Sequence, residues 1–162
     1  MGKVKDVLEI AIDKAINGDE FNVCGKLRKV KGLSSFSTKN YDDEYYKFFF
    51  DDGAFLMLVP GDDEVYFTEK HVDEIESIPD AEIGKPEILL NAKKFILKDK
   101  NNYQFVKQRY VGGFKDVEGE VSFSDYEPAE GEKEILSLGF LSFTGKIADI
   151  QCKLISMEDV GL

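Results

Sequence analysis

From Phe21 onward apolar and polar residues alternate with period two over most of the chain. This alternation limits the fold more than any other feature, because it suits half-buried β-strands and no helix. Ahead of it stands one stretch of the other period. Val4, Val7, Leu8, Ala11, Ile12, Ala15 and Ile16 recur at spacings of three and four, which predicts a helix over 3–17 with an apolar stripe on one face. Asn17-Gly18 ends it, since glycine takes the left-handed conformation that closes a helix. The opposite face mixes Lys5, Asp6, Glu9, Asp13 and Lys14. It lacks the basic bias of a helix that lies on anionic lipid, so the expected partner is the protein's own sheet.

Strands are predicted at 21–30, 44–50, 54–59, 64–69, 93–98, 103–111, 120–126, 134–143 and 146–155. Turn chemistry links them. Asp51-Asp52-Gly53 supplies a positive-φ glycine, and in Pro60-Gly61-Asp62-Asp63 proline presets φ ahead of glycine, so the three strands after residue 44 read as a meander. Asp99 to Asn102 and Thr144-Gly145 would join the later strands. Gly32 to Tyr41, with four Ser/Thr and no acid, reads as a mobile loop. No fixed-period repeat or low-complexity linker divides the chain, and 162 residues with 43% hydrophobic content suffice for one core. The expected architecture is a single domain over 1–162, mainly β (α+β). It is an antiparallel β barrel or sandwich of about eight or nine strands spanning 19–155, with one N-terminal helix packed on it.

Charge is distributed unevenly. Residues 1–41 carry eight Lys/Arg and five Asp/Glu, residues 42–90 three and fifteen, and residues 91–162 ten and twelve, so the middle segment alone holds −12 of a net −11. In an antiparallel meander the start of the first strand lies beside the end of the second and the start of the third. Asp42-Asp43-Glu44 and Asp62-Asp63-Glu64 should therefore project from one end of the sheet, with Asp51 and Asp52 at the other. Such an edge could dock a basic protein surface, where fixed charge speeds encounter and rejects wrong partners. It could equally be a set of solvated turn residues that discourage edge pairing. As a metal loop it lacks the alternate acids and central glycine of an EF-hand, and neither metal nor cofactor is expected.

The same field excludes direct nucleic-acid binding. The best basic cluster, Lys26, Arg28, Lys29 and Lys31, is too small to outweigh −11 and is expected to face the acidic meander. An acidic DNA mimic remains an alternative on charge alone. The longest apolar runs, such as Ala54 to Pro60, fall far short of the roughly 18 residues that a membrane-spanning helix needs. Asp6, Glu9 and Asp13 interrupt any signal-peptide core, so a cytoplasmic location is expected. Cys24 and Cys152 form no CxxC pair and read as reduced core thiols.

Catalytic inventories are sparse. His71 is the only histidine, and it lies among Glu69, Lys70, Asp73 and Glu74, a surface setting that supports neither a nucleophilic triad nor a histidine-rich metal site. Gly139 to Lys146 fails as a phosphate loop, because five residues separate its glycines and Ile147 replaces the Ser/Thr. Glu118 and Glu120, which share one side of a strand, and nearby Asp125 are the candidate acid/base carboxylates if the protein is a hydrolase or ligand-processing enzyme.

Three segments carry a resemblance. Phe21 to Leu27 resembles the opening V-x-G-x-L strand of a bacterial β-rich domain of the YjfK-like kind. Glu44 to Gly53 with Phe55-Leu56 is similar to its E-Y-x-L-x-D-x-G-x-x-L hairpin, and Val117 to Glu120, Ser124 to Tyr126 and Leu136-Ser137 are similar to its later V-E-G-E, D-Y and L-S segments. The likeness spans about residues 19–155, although this chain has no tryptophan where that family has several. The resemblance implies a role accessory to PspA-type, phage-shock operons and transfers no catalytic residue. Together these features lead to the expectation of a non-enzymatic binding or adaptor protein that uses its acidic meander edge.

Overall fold

The computed structural model describes residues 3–37, 45–69, 84–90, 92–110, 117–131, 133–141 and 150–162. Helix α1 is Val4–Ile16, one residue inside the expected bounds at each end. The strands are β1 Glu20–Val23, β2 Lys26–Ser37, β3 Tyr45–Phe50, β4 Phe55–Val59, β5 Glu64–Thr68 and β6 Glu87–Leu90, then β7 Lys93–Tyr110, β8 Val117–Pro128, β9 Glu134–Leu141, β10 Ile150–Ile155 and β11 Val160–Gly161. All the ladders are antiparallel, and the order is β11-β1-β2-β3-β4-β5-β10-β9-β8-β7-β6.

Among the described residues the fold is mainly β with one α-helix, as the periodicity requires, but the strand count and the form of the sheet both need correction. Among the described residues the sheet holds eleven strands rather than eight or nine, and with β11 and β6 at its two ends it is open rather than a closed barrel. The expected strand 21–30 is broken into β1 and β2 by a tight turn in which Cys24 and Gly25 take φ of 52° and 83°. The two strands expected to be joined through Asp99 to Asn102 are one strand, β7, which absorbs that polar stretch as an irregularity in its register with β8. The short strands β6 and β11 have too few residues to show a period.

The expected loop over 32–41 is also overturned as far as Ser37; residues 38–41 lie outside those described. Gly32 to Phe36 pair with β3 on one edge (Gly32↔Phe49 to Phe36↔Tyr45) and Gly32 to Ser37 with β7 on the other (Gly32↔Tyr110 to Ser37↔Phe105). Backbone pairing on both edges outweighs the weak strand propensity of the serines. The β2–β7 ladder joins strands far apart in the order, so it curls the sheet back toward itself.

That curl gives the sheet two different faces. On one, Phe48, Phe50, Leu56, Leu58, Val65 and Phe67 pack with Phe21 and with Val4, Ala11 and Ala15 of α1. Burying each large side chain there is worth about 1.5–3 kcal/mol. Phe21 packs its ring against Phe48 and Phe50 with centroids 5.3 and 5.8 Å away. On the other face, Met57, Tyr66 and Cys152 cluster with Tyr45, Val59 and Ile135. A third cluster, Ile88, Leu90, Phe95, Tyr126, Leu136 and Leu138, ties β6 to β9 together. Among the described residues no helix is long and apolar enough to cross a membrane.

Candidate functional site

Strands β3, β4 and β5 form the expected meander, with Tyr46 opposite Leu58 and Val59 opposite Glu64 at one end and Phe49 opposite Phe55 at the other. Asp42, Asp43 and Glu44 lie outside the described residues; β3 begins just after them, at the end that also carries the β4–β5 turn. The second triplet is described in full, and its three members do different things. Asp63 adopts φ of 53°, and its carboxylate accepts the Val4 N–H at 2.8 Å, so it closes the N-terminus of α1. Glu64 accepts from the Tyr66 hydroxyl at 2.8 Å and from Lys133 at 2.7 Å. Burial pushes the Tyr66 hydroxyl well above its ordinary pKa, and the Glu64 bond and charge raise it further. Its own hydrogen bond to Glu64 holds the Lys133 ammonium above its usual value. Asp62 is exposed and borders a cavity.

At the opposite end two members of the basic cluster, Lys26 and Arg28, face acids. Arg28 is buried, with Nη1 2.5 Å from Asp52, Nη2 3.1 Å from Glu69 and its guanidinium 5.1 Å from the Phe67 ring centroid. Lys26 reaches Asp52 at 3.7 Å. Partial burial raises the Asp52 pKa, but the Ala54 N–H and the charges of Arg28 and Lys26 outweigh it and leave the carboxyl below its ordinary value. Arg28 and Lys26 are thus paired with the hairpin turn, Arg28 with Glu69 as well.

The cavity, of about 210 Å³, opens between β3–β4 on one side and β8–β9 on the other. Those strand pairs are not neighbours in the sheet, so the curl is what brings them together. Its walls are Tyr45, Met57, Val59 and Ile135, with Lys47 on the β3 side and Asp125 and Ser137 across from it. Lys47 is only 4% exposed and lies 4.6 Å from the Phe36 ring centroid, an attraction that offsets part of the cost of burying its charge. Ser137 Oγ donates to Asp125 at 2.7 Å. Asp62, Lys98 and Glu127 form the rim, the last two 4.0 Å apart.

The alternative acid/base residues all lie on β8. Glu118 and Glu120 stand opposite Lys107 and Phe105, whereas Asp125 stands opposite Asp99 and Ser137 and has the other parity along the strand. Asp125 borders the cavity. His71 and Gly145 lie outside the described residues, and among the described residues no group of three metal-ligating side chains converges. Both cysteines are free; Cys152 is buried as expected, but Cys24 is exposed, because it occupies the left-handed corner of the β1–β2 turn and not a strand position. Sequence reasoning missed Lys47. Its signal is present, since Tyr45 to Phe50 is apolar at both parities apart from that lysine, and a strand buried on both faces must bury it. No family model, no curated protein and no solved structure matches the chain.

Proposed function

We propose that the chain is a non-enzymatic binding protein of adaptor type that docks a basic protein surface at the β4–β5 end of the meander. One observation carries this reading: at that end the mouth of a cavity is bordered by Asp62, Asp125 and Glu127, in a protein whose residues 42–90 are strongly acidic. A lysine or arginine of a partner would place its aliphatic stem on Tyr45 and Val59 and its charge among the carboxylates. Asp63 and Glu64 support the surface indirectly, by fixing the turn that presents Asp62. Asp42, Asp43 and Glu44 enter the proposal through sequence alone. The likeness to the YjfK-like domain adds a setting, an accessory role in a cytoplasmic envelope-stress operon.

The test is anisotropy titration of a fluorescent lysine-rich peptide at low and high salt, with the intact chain and with Asp62→Asn/Glu127→Gln. Docking by fixed charge requires affinity to fall steeply as salt rises and to fall again in the double variant. Equal affinity at both salts, or in both proteins, removes the reading. Turnover of an ester or glycoside substrate that is lost in Asp125→Asn would favour the carboxylate enzyme instead.

A further inference from the structure

We propose that the free edge of β6 is a dimerisation surface, on which β6 of a second copy of the chain pairs antiparallel about a two-fold axis at Ile88. This goes beyond docking of a basic surface at the cavity rim and depends on backbone groups that the rim does not use.

Three observations converge on it. Strand β6 ends the sheet, and among the described residues no strand lies beyond it. The hydrogen bonds then show which of its groups are turned to that free edge. The Leu97 N–H donates to the Pro86 carbonyl at 2.9 Å, and the Ala129 N–H donates to the Lys94 carbonyl at 2.9 Å, away from β6. Bonded pairs alternate along an antiparallel ladder, so the backbone groups of Ile88 and Leu90 face β7 and those of Glu87 and Leu89 face outward. Finally, Leu89 is 71% exposed, the most of any large apolar residue among those described, which leaves no room for a strand already lying against it. Natural edges are often blunted by proline or by a charge pointing inward, and Glu87-Ile88-Leu89-Leu90 carries neither, since Ile88 and Leu90 are its buried positions.

Parity and charge select a copy of the same chain as the occupant. With the axis at Ile88, Glu87 of each copy stands opposite Leu89 of the other, and each of these pairs exchanges two backbone hydrogen bonds, four in all. Side-chain parity is kept, so Ile88 meets Ile88 and carries the buried cluster of Ile88, Leu90 and Phe95 from one copy into the next. On the outer face Glu87 already lies 3.5 Å from Lys94, which stands opposite Leu89. The second copy brings its own Lys94 to the other side of Glu87, two strands or about 10 Å away between backbones, within reach of two long side chains. Each carboxylate is then flanked by two ammonium groups, and the junction carries as many cations as anions although the chain is −11 overall. An edge from another protein would need the same spacing of Glu, Leu and Lys, which a second copy has by symmetry. Four residues make a short ladder and hence a weak dimer, with a dissociation constant on the order of 0.1 mM.

Sedimentation velocity of the intact chain, over roughly 0.01–1 mM, is the test. The average mass should climb toward twice that of one chain, and climb further at high salt, because salt screens the repulsion between two chains of net −11. Docking of the lysine-rich peptide responds to salt in the opposite sense, so the two readings fail separately. Leu89→Pro removes one donor from each copy, two of the four bonds, and neither is a bond that the single chain makes; the dissociation constant should rise about tenfold while the fold is kept. Leu89→Lys, which sets like charges on the diagonal across the axis, should weaken the dimer as well. Glu87→Lys should do the same, and adding Lys94→Glu should restore association. The proposal is overturned if the mass stays that of one chain up to about 1 mM at high salt, or if both Leu89 variants, folded by circular dichroism, associate as strongly as the parent.

Discussion

Asp63 does at a distance what a capping residue does locally. Lys3, at the N-cap of α1, offers no side-chain acceptor, and the Val4 N–H is met instead by a carboxylate from the β4–β5 turn. The negative charge also faces the positive end of the helix dipole. Asp63→Ala should cost about 1 kcal/mol in urea unfolding, and Asp63→Asn less, because asparagine keeps the acceptor and tolerates a left-handed backbone. Titrating groups set the pH limits. Burial pushes the Cys152 thiol up to about 12 from 9.0, with the Lys47 charge a smaller opposing influence. The unfolded thiol ionises first, so this contribution is complete below pH 9 and is lost as pH climbs toward 12. Asp52 acts in the other direction: its depressed pKa contributes stability above its ordinary 3.8 that is lost as pH falls below it. The urea midpoint should therefore drop on both sides of neutrality, and Cys152→Ala should show a smaller alkaline drop than the parent.

The elements show which features the sequence makes legible. Helix α1 was readable because its apolar stripe and Gly18 are local signals, and the β3–β4 turn because Gly53, at φ of 89°, is the residue such a turn demands. The β1–β2 turn was hidden, since it places Cys24, not an expected turn residue, at positive φ. The strand character of Gly32 to Ser37 was hidden for a different reason: it comes from partners on β3 and β7 that no local window contains. For the candidate site, the sequence placed Asp62 at the correct end of the meander, but Lys47 and the opposite wall at Asp125 and Ser137 depend on the curl of the sheet. The helix–sheet contact is close, because Ala11 and Ala15 are the residues that meet the strands. Ala15→Leu should overpack it and lower stability by about 1–3 kcal/mol, read from the urea midpoint.

Over the whole molecule, the acids that sequence gathers in one segment divide into those the fold uses and those it displays. Asp52, Asp63 and Glu64 are bound to internal partners, and Asp62 faces outward. Strand β2 connects the two parts of the sheet, because it is paired on both edges over Gly32 to Phe36. Its amides there should exchange with solvent only through global unfolding, whereas those of the end strand β6 should exchange much faster. Comparable rates in native-state hydrogen exchange would contradict a central role for β2. The reach of Asp63 to Val4 also orders events at the ribosome. A segment of thirteen residues is a marginal helix alone, and its acceptor is synthesised 59 positions later, so a nascent chain stalled before the β4–β5 turn carries α1 as a fluctuating coil that settles when the strands it packs on, and Asp63 with them, emerge.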